Sequence, residues 1–268
     1  MGSAIHLKER IRVLTPRPLR MLRRRLWNFR GEAPLRRFAL RPPPDLSRQR
    51  AMTLASKFIT AHDHLDCAHT HSEMDAIVRA IFACPAAVQG CIVEAGCFKG
   101  GSTVKLSIAA AMTNRDLVVF DSFEGLPDND EQHGLTMHGE VPNFSRGRYM
   151  GTFDEVRDNV ARFGEPQVCQ FVRGWFEQTM PTFDRQVAVA FIDVDLAAST
   201  RTCLQYLYPL LAPGGSIFSH DGHLPLCVEA MNDDDFWVRV VGCPKPPMYG
   251  LGETKLVRIT KPTQASLN

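Results

Sequence analysis

The chain has 268 residues, 44% of them hydrophobic, which suffices for one large α/β domain with an appendage. No apolar run approaches the ~20 residues of a membrane span, and the arginine-rich start lacks the apolar core of a secretory signal. The net charge of +2 hides an asymmetry: residues 1–50 carry 14 Lys/Arg against 3 Asp/Glu, and the remainder 17 against 26, an acidic body that argues against a nucleic-acid partner.

Residues 1–50 read as a basic extension ending at Pro42-Pro43-Pro44, and residues 51–268 as the globular domain. Arg23-Arg24-Arg25 among Leu22, Leu26, Trp27 and Phe29 has the makings of a short amphipathic helix for a membrane surface or an RNA. The plainer reading is a solvated or self-docking arm that aids homo-oligomerisation. Residues 51–84 read as helical, with apolar positions at Met74, Ile77, Val78 and Ile81. Alternation then begins: a strand at Cys91-Ile92-Val93, a helix from Ser102 to Met112, and a strand at 117–120. Residues 125–151 are polar and glycine-rich, a loop long enough to be a lid or substrate segment. Thr152 and Glu155 have capping-box spacing before a helix that Gly164 closes. Strands follow at 168–172 and 187–192, a helix at 199–211, and a strand at 216–219. Late strands around 238–241 and 255–259 suggest an antiparallel pair. Such alternation predicts a doubly wound, mostly parallel sheet with helices on both faces.

Two strand ends carry the chemistry. Asp193 and Asp195 close one strand, and His220-Asp221 closes the next, with one helix between them. Both tips are therefore expected on one sheet edge, where oxygen and imidazole donors suit a divalent cation. Upstream, Glu94, Gly96, Gly100 and Ser102 spell E-x-G-x-x-x-G-G-S between a strand and a helix. Glycines let the backbone approach a ligand, although a tight structural turn explains the same pattern. Asp121 ends the second strand, where a carboxylate accepts from a ribose diol. Glu94 either supports the loop or binds the amino-acid end of a ligand; an ion-pair role is the alternative. The eight cysteines occur singly, with no CxxC, which fits a reducing cytoplasm rather than a zinc cluster.

The strings VEAGCFKGGST, FDSFEGLPD, VRGWFEQTMP and FIDVDLAASTRTCLQYLYPLLAPGGSIFSHDG resemble the macrocin O-methyltransferase family of class I S-adenosylmethionine-dependent enzymes. The resemblance runs from about Ala87 to Asp235. It implies a seven-stranded sheet and metal-assisted methylation of a sugar hydroxyl in secondary metabolism. It also implies that Gly96 and its loop hold the methionine part and Asp121 the ribose. Ser122 and Phe123 would flank the adenosine, and Gly174, Trp175 and Phe176 would line the adenine pocket. Asp193, His220 and Asp221 would be the metal ligands, with His220 standing where the family usually has an aspartate. His220 is then either a ligand to a borderline ion such as Mn²⁺ or a base, and Mg²⁺ otherwise suits the oxygens.

Asp195 and His223 are the other candidate bases, with helix capping and a surface loop as their plain readings. His138 and Glu140 lie where they could reach a substrate but read more simply as solvated loop residues. His62, His64, His69 and His71 are irregularly spaced and read as structural or surface. The expected activity is methyl transfer to a hydroxyl of a sugar or small polar metabolite. A metal-dependent hydrolase or hydroxylase, and a non-catalytic cofactor- or partner-binding module, are the alternatives.

Overall fold

The computed structural model describes residues 31–84 and 88–263. The arginine cluster at 23–25 lies outside the described residues. Seven strands form one sheet: β1 (Cys91–Ala95), β2 (Leu117–Asp121), β3 (Cys169–Arg173), β4 (Val187–Ile192), β5 (Leu211–Ser219), β6 (Met248–Tyr249) and β7 (Val257–Thr260). Their order is β3-β2-β1-β4-β5-β7-β6. β3 to β5 run parallel, and β7 is antiparallel to both β5 and β6. The order reverses between β1 and β4, which opens a crevice at their carboxyl ends.

Both central strands are buried along their whole length, as strands with helices on each face must be. Helices α1 (Ala33–Leu40), α2 (Arg48–His64), α3 (His71–Ala83), α4 (Gly101–Met112) and α5 (Phe153–Phe163) cover one face. α6 (Phe176–Thr179), α7 (Ala197–Leu210) and α8 (Pro225–Asn232) lie on the other. Alternate residues of β1 feed the two cores: Ile92 packs on the first, and Val93 and Ala95 on the second.

Three expectations change. The helical stretch 51–84 is two helices, separated where Thr70 caps α3 in a reciprocal box with Glu73. The packed body starts before Ala51: Leu35 and Phe38 of α1 are buried in the first core, and the Arg79 guanidinium lies over the Phe38 ring. Residues 238–241 are not a strand. Trp237–Val241 is a π-helical turn, because buried Trp237 anchors it with an indole N–H donated to the Met231 carbonyl, while Val238 and Val240 face solvent. Met248–Tyr249 is the strand that pairs with β7 instead. Among the described residues no helix is long and apolar enough to cross a membrane.

Candidate active site

Sheet register assembles the site. Ala95 pairs with Ile192, and Ile192 with Ser219. The next residue on each strand, Gly96, Asp193 and His220, therefore stand in a row at the carboxyl edge. Gly96 has φ +81°, and a Cβ there would collide with the Asp193 carbonyl oxygen. Only glycine permits this approach of the first loop to the tip of β4.

A cleft of about 650 Å³ opens over this edge. Of the residues expected to hold a cofactor, Gly96, Ser102, Asp121, Ser122, Gly174, Trp175 and Phe176 line it. Asp193, Asp195 and His223 line it from the other side. Gly100, Glu94 and Phe123 do not. Gly100 is the left-handed N-cap residue of α4, packed beside Val156. The Phe123 ring instead stacks edge-on against Phe153 and Phe171 in the core.

Asp121 ties the loop after β1 to the loop after β2. Its Oδ2 accepts from the Cys97 N–H at 2.7 Å and its Oδ1 from the Phe123 N–H at 2.7 Å. Burial raises its pKa, and these N–H donors oppose the rise. Each oxygen keeps a second lone pair for a ligand hydroxyl. Glu94 sits behind the loop, fully buried, with neither carboxyl oxygen hydrogen-bonded. Burial pushes it up to about 8, so at neutral pH it is mostly a neutral acid.

On the other side, oxygens of Asp193, Asp195 and Asp221 lie within 4.8 Å of one another. Asp221 Oδ2 accepts from the Val194 N–H at 3.1 Å, while its buried Oδ1 has no partner. Burial and then Asp193 push Asp221 up to about 7. Burial, Asp221 and Asp193 raise Asp195 well above the carboxylate range. Asp195 also sits at φ +62°, an uncommon conformation for a side-chain-bearing residue.

His220 stands beside the triad rather than within it. Its Nδ1 is 3.2 Å from Asp193, and its Nε2 is 3.4 Å from Glu73, an ion-pair contact without hydrogen-bond geometry. Burial lowers His220, but the two carboxylates outweigh it and raise the ring to about 10. Burial likewise opposes, and His220 with Thr70 overcomes, so Glu73 falls to about 2. His223 is pulled down to about 4 by burial, then by Lys255 and His220, so it is neutral.

Two residues of this site were not visible in the sequence. Glu73 reads as a helix-capping residue, and its second contact is to a strand tip 147 positions away. Glu131 reads as a loop acid, yet it accepts from the Ala197 and Ala198 N–H groups at 2.7 and 2.9 Å. That bond pins the 125–151 loop to the N-terminus of α7, immediately after Asp195. Glu140 lines the cleft, and the His138 ring lies 6.0 Å from that of His223.

A family model described as macrocin-O-methyltransferase matches residues 55–237. Among curated proteins, the chain is 34% identical over 155 residues to mycinamicin III 3''-O-methyltransferase of Micromonospora griseorubida, covering 54% of this chain and 60% of that protein. It is 33% identical over 153 residues to 8-demethyl-8-(2,3-dimethoxy-alpha-L-rhamnosyl)-tetracenomycin-C 4'-O-methyltransferase of Streptomyces olivaceus, covering 54% and 58%. The chain thus spans about three-fifths of the length of these relatives. Among solved structures, the O-methyltransferase NovP aligns with a TM-score of 0.61 at 21% identity, covering 80% of this chain and 99% of that one. The calicheamicin methyltransferase CalS11 aligns at 0.54 and 18%, covering 87% and 91%. Both likenesses are of fold.

Proposed function

Because the chain belongs to the macrocin O-methyltransferase family, we propose that it methylates a hydroxyl of a sugar or small polar metabolite, using S-adenosylmethionine and a divalent cation. The observation that carries this reading is one cleft with two unlike walls: a glycine loop with Asp121 on one side, and Asp193 and Asp195 on the other, with buried Asp221 completing their carboxylate cluster behind them. The relatives' names, for 3''-O- and 4'-O-methylation, favour a sugar oxygen on a natural product.

Asp121 would accept from the ribose hydroxyls while keeping both cofactor loops in place. Trp175 and Phe176 offer flat apolar surface for the adenine. The orphaned Oδ1 of Asp221 and the all-oxygen triad fit a hard divalent ion, since carboxylates this close ionise together only beside positive charge. Asp193 and Asp221 would hold it. When bound, such an ion lowers the pKa of a coordinated hydroxyl and orients it. Asp195 lines the cleft and has a raised proton affinity, so it would take the acceptor's proton. His220, paired with Asp193 and Glu73, would offset part of the negative charge around the ion. The 125–151 loop, tied down by Glu131, would keep water from the sulfonium.

The test is incubation with S-adenosylmethionine and a panel of glycosylated acceptors, read by mass spectrometry. A product heavier by one methylene, absent after Asp195→Asn, supports the reading. Hydrolysis of the acceptor without methyl gain would replace it.

A further inference from the structure

Lys105, in the second turn of α4, is fully buried, and no ion pair to a carboxylate reaches its ammonium among the described residues. Its Nζ instead meets three neutral groups: His69 Nε2 at 2.8 Å, His62 Nδ1 at 3.3 Å and Cys67 Sγ at 3.6 Å. An ammonium has three protons to donate and no lone pair. The three acceptors therefore account for all of its protons and compensate a burial that would otherwise cost several kcal/mol.

The cage joins three parts of the chain. His62 is in the last turn of α2, Cys67 and His69 are on the connector to α3, and Lys105 follows the glycine loop. The connector lies hard against the start of α4: a Cβ on Gly101 would come within 2.6 Å of Cys67 Sγ and 2.8 Å of the Asp66 carbonyl. Lys99 adds an ion pair to Asp66 at 2.8 Å. Residues 66–69 consequently form a wall of the cleft, next to Gly96, Gly101 and Ser102.

His69 is the informative member. It is 97% buried yet lines the cleft. With Nε2 accepting from Lys105, the neutral ring must carry its proton on Nδ1. Burial and the Lys105 charge keep the ring neutral by holding its pKa well below the ordinary value. The ring's hydrogen bond among the described residues is the one at Nε2, and His69 lines the cleft, so the Nδ1–H is free for a ligand beside the unpaired N–H groups that open α4. Donors alone, next to a helix N-terminus, select an anion.

We propose that His69 donates its Nδ1–H to the carboxylate of the cofactor's methionine half, and that Lys105 is a positioning residue that fixes the tautomer and the connector. The proposal rests on the S-adenosylmethionine reading above. The glycine loop alone would hold this end of the cofactor loosely; the connector supplies a side-chain donor beside it.

The test compares S-adenosylhomocysteine with its carboxylate-free analogue by isothermal titration, using wild type, His69→Ala, His69→Asn and Lys105→Met. Wild type should prefer the carboxylate-bearing ligand about tenfold, a charged hydrogen bond's worth. His69→Ala and Lys105→Met should lose that preference while binding the analogue as wild type does. His69→Asn, which keeps a donor near the Nδ1 position, should recover part of it. Nitrogen-15 spectra of histidine-labelled protein should show His69 protonated at Nδ1 in wild type and redistributed in Lys105→Met. If Lys105→Met does not fold, the two His69 variants and the wild-type spectrum decide. An unchanged preference in His69→Ala, or a wild-type proton on Nε2, would overturn the proposal. Failure of wild type to bind either ligand would overturn the S-adenosylmethionine reading, and this proposal with it.

Discussion

His220 Nδ1 lies 3.2 Å from Asp193 Oδ2, while the far side of the same ring faces Glu73 at 3.4 Å. A buried imidazole held between two carboxylates behaves as an internal cation, so Asp193 stays ionised despite its burial. His220→Asp would exchange that cation for a fourth acid. We expect the ratio of Mg²⁺ to Mn²⁺ affinity, measured by titration calorimetry, to rise in the variant as a further carboxylate oxygen becomes available beside the ion. An unchanged ratio would remove His220 from the ion's surroundings.

Chelation should abolish methyl transfer, and added Mg²⁺ or Mn²⁺ should restore it. Asp193→Ala and Asp221→Ala should each reduce turnover by about 100-fold or more, as expected when proton removal loses its support. Full turnover in excess EDTA would rule out an ion-assisted reaction.

Asp121→Ala removes the tie between the loops after β1 and β2, the bond to the Phe123 N–H, and the proposed ribose acceptor. S-adenosylhomocysteine binding by calorimetry should weaken about tenfold or more, since hydrogen bonds to a charged group are each worth roughly 1.5–3 kcal/mol. Equal affinity in the variant would exclude Asp121 from the pocket.

Glu94 gives the free protein a distinctive pH dependence. Its carboxyl titrates near 8 when folded and at an ordinary, much lower value when unfolded. Between those values the native state holds a proton that the unfolded chain has released. This contribution to stability is complete at low pH and is lost as pH rises through about 8. Urea midpoints should therefore fall between pH 5 and 8 in wild type and fall less in Glu94→Gln. Parallel curves for the two proteins would contradict a neutral Glu94.

Phe38→Ala tests whether α1 belongs to the body. The ring is buried against Phe82 and lies under Arg79. Its removal should cost roughly 3–5 kcal/mol in a denaturant titration. A loss below about 0.5 kcal/mol, the range of surface changes, would make α1 a loosely attached arm.

Much of this architecture is legible in the sequence because strand and helix periods differ. The runs at 187–192 and 117–120 are continuous and apolar, as doubly covered strands must be. That Asp193 and Asp195 meet the His220-Asp221 pair is legible because consecutive parallel strands end on one edge, but Asp195 rather than His220 completes the cluster with Asp193 and Asp221. What stays hidden depends on distant partners. Glu73 satisfies a local capping rule so well that nothing flags its second contact. Lys105 reads as one polar residue on a helix, and only folding reveals that every side of that helix is covered. Val238, Val240 and Val241 have strand propensity, and buried Trp237 overrides it with a helical turn. Leu35 and Phe38 are diluted by neighbouring arginines, so charge conceals a packed face.

The bare main chain at Gly96, pressed against the Asp193 carbonyl, has a consequence for anyone altering this protein. The loop after β1 and the carboxylate tip of β4 meet there with no side chain to trim or enlarge, so their spacing is inherited as a constant. Changes of substrate preference should come from the 125–151 cover, whose residues can vary while that constant is left untouched.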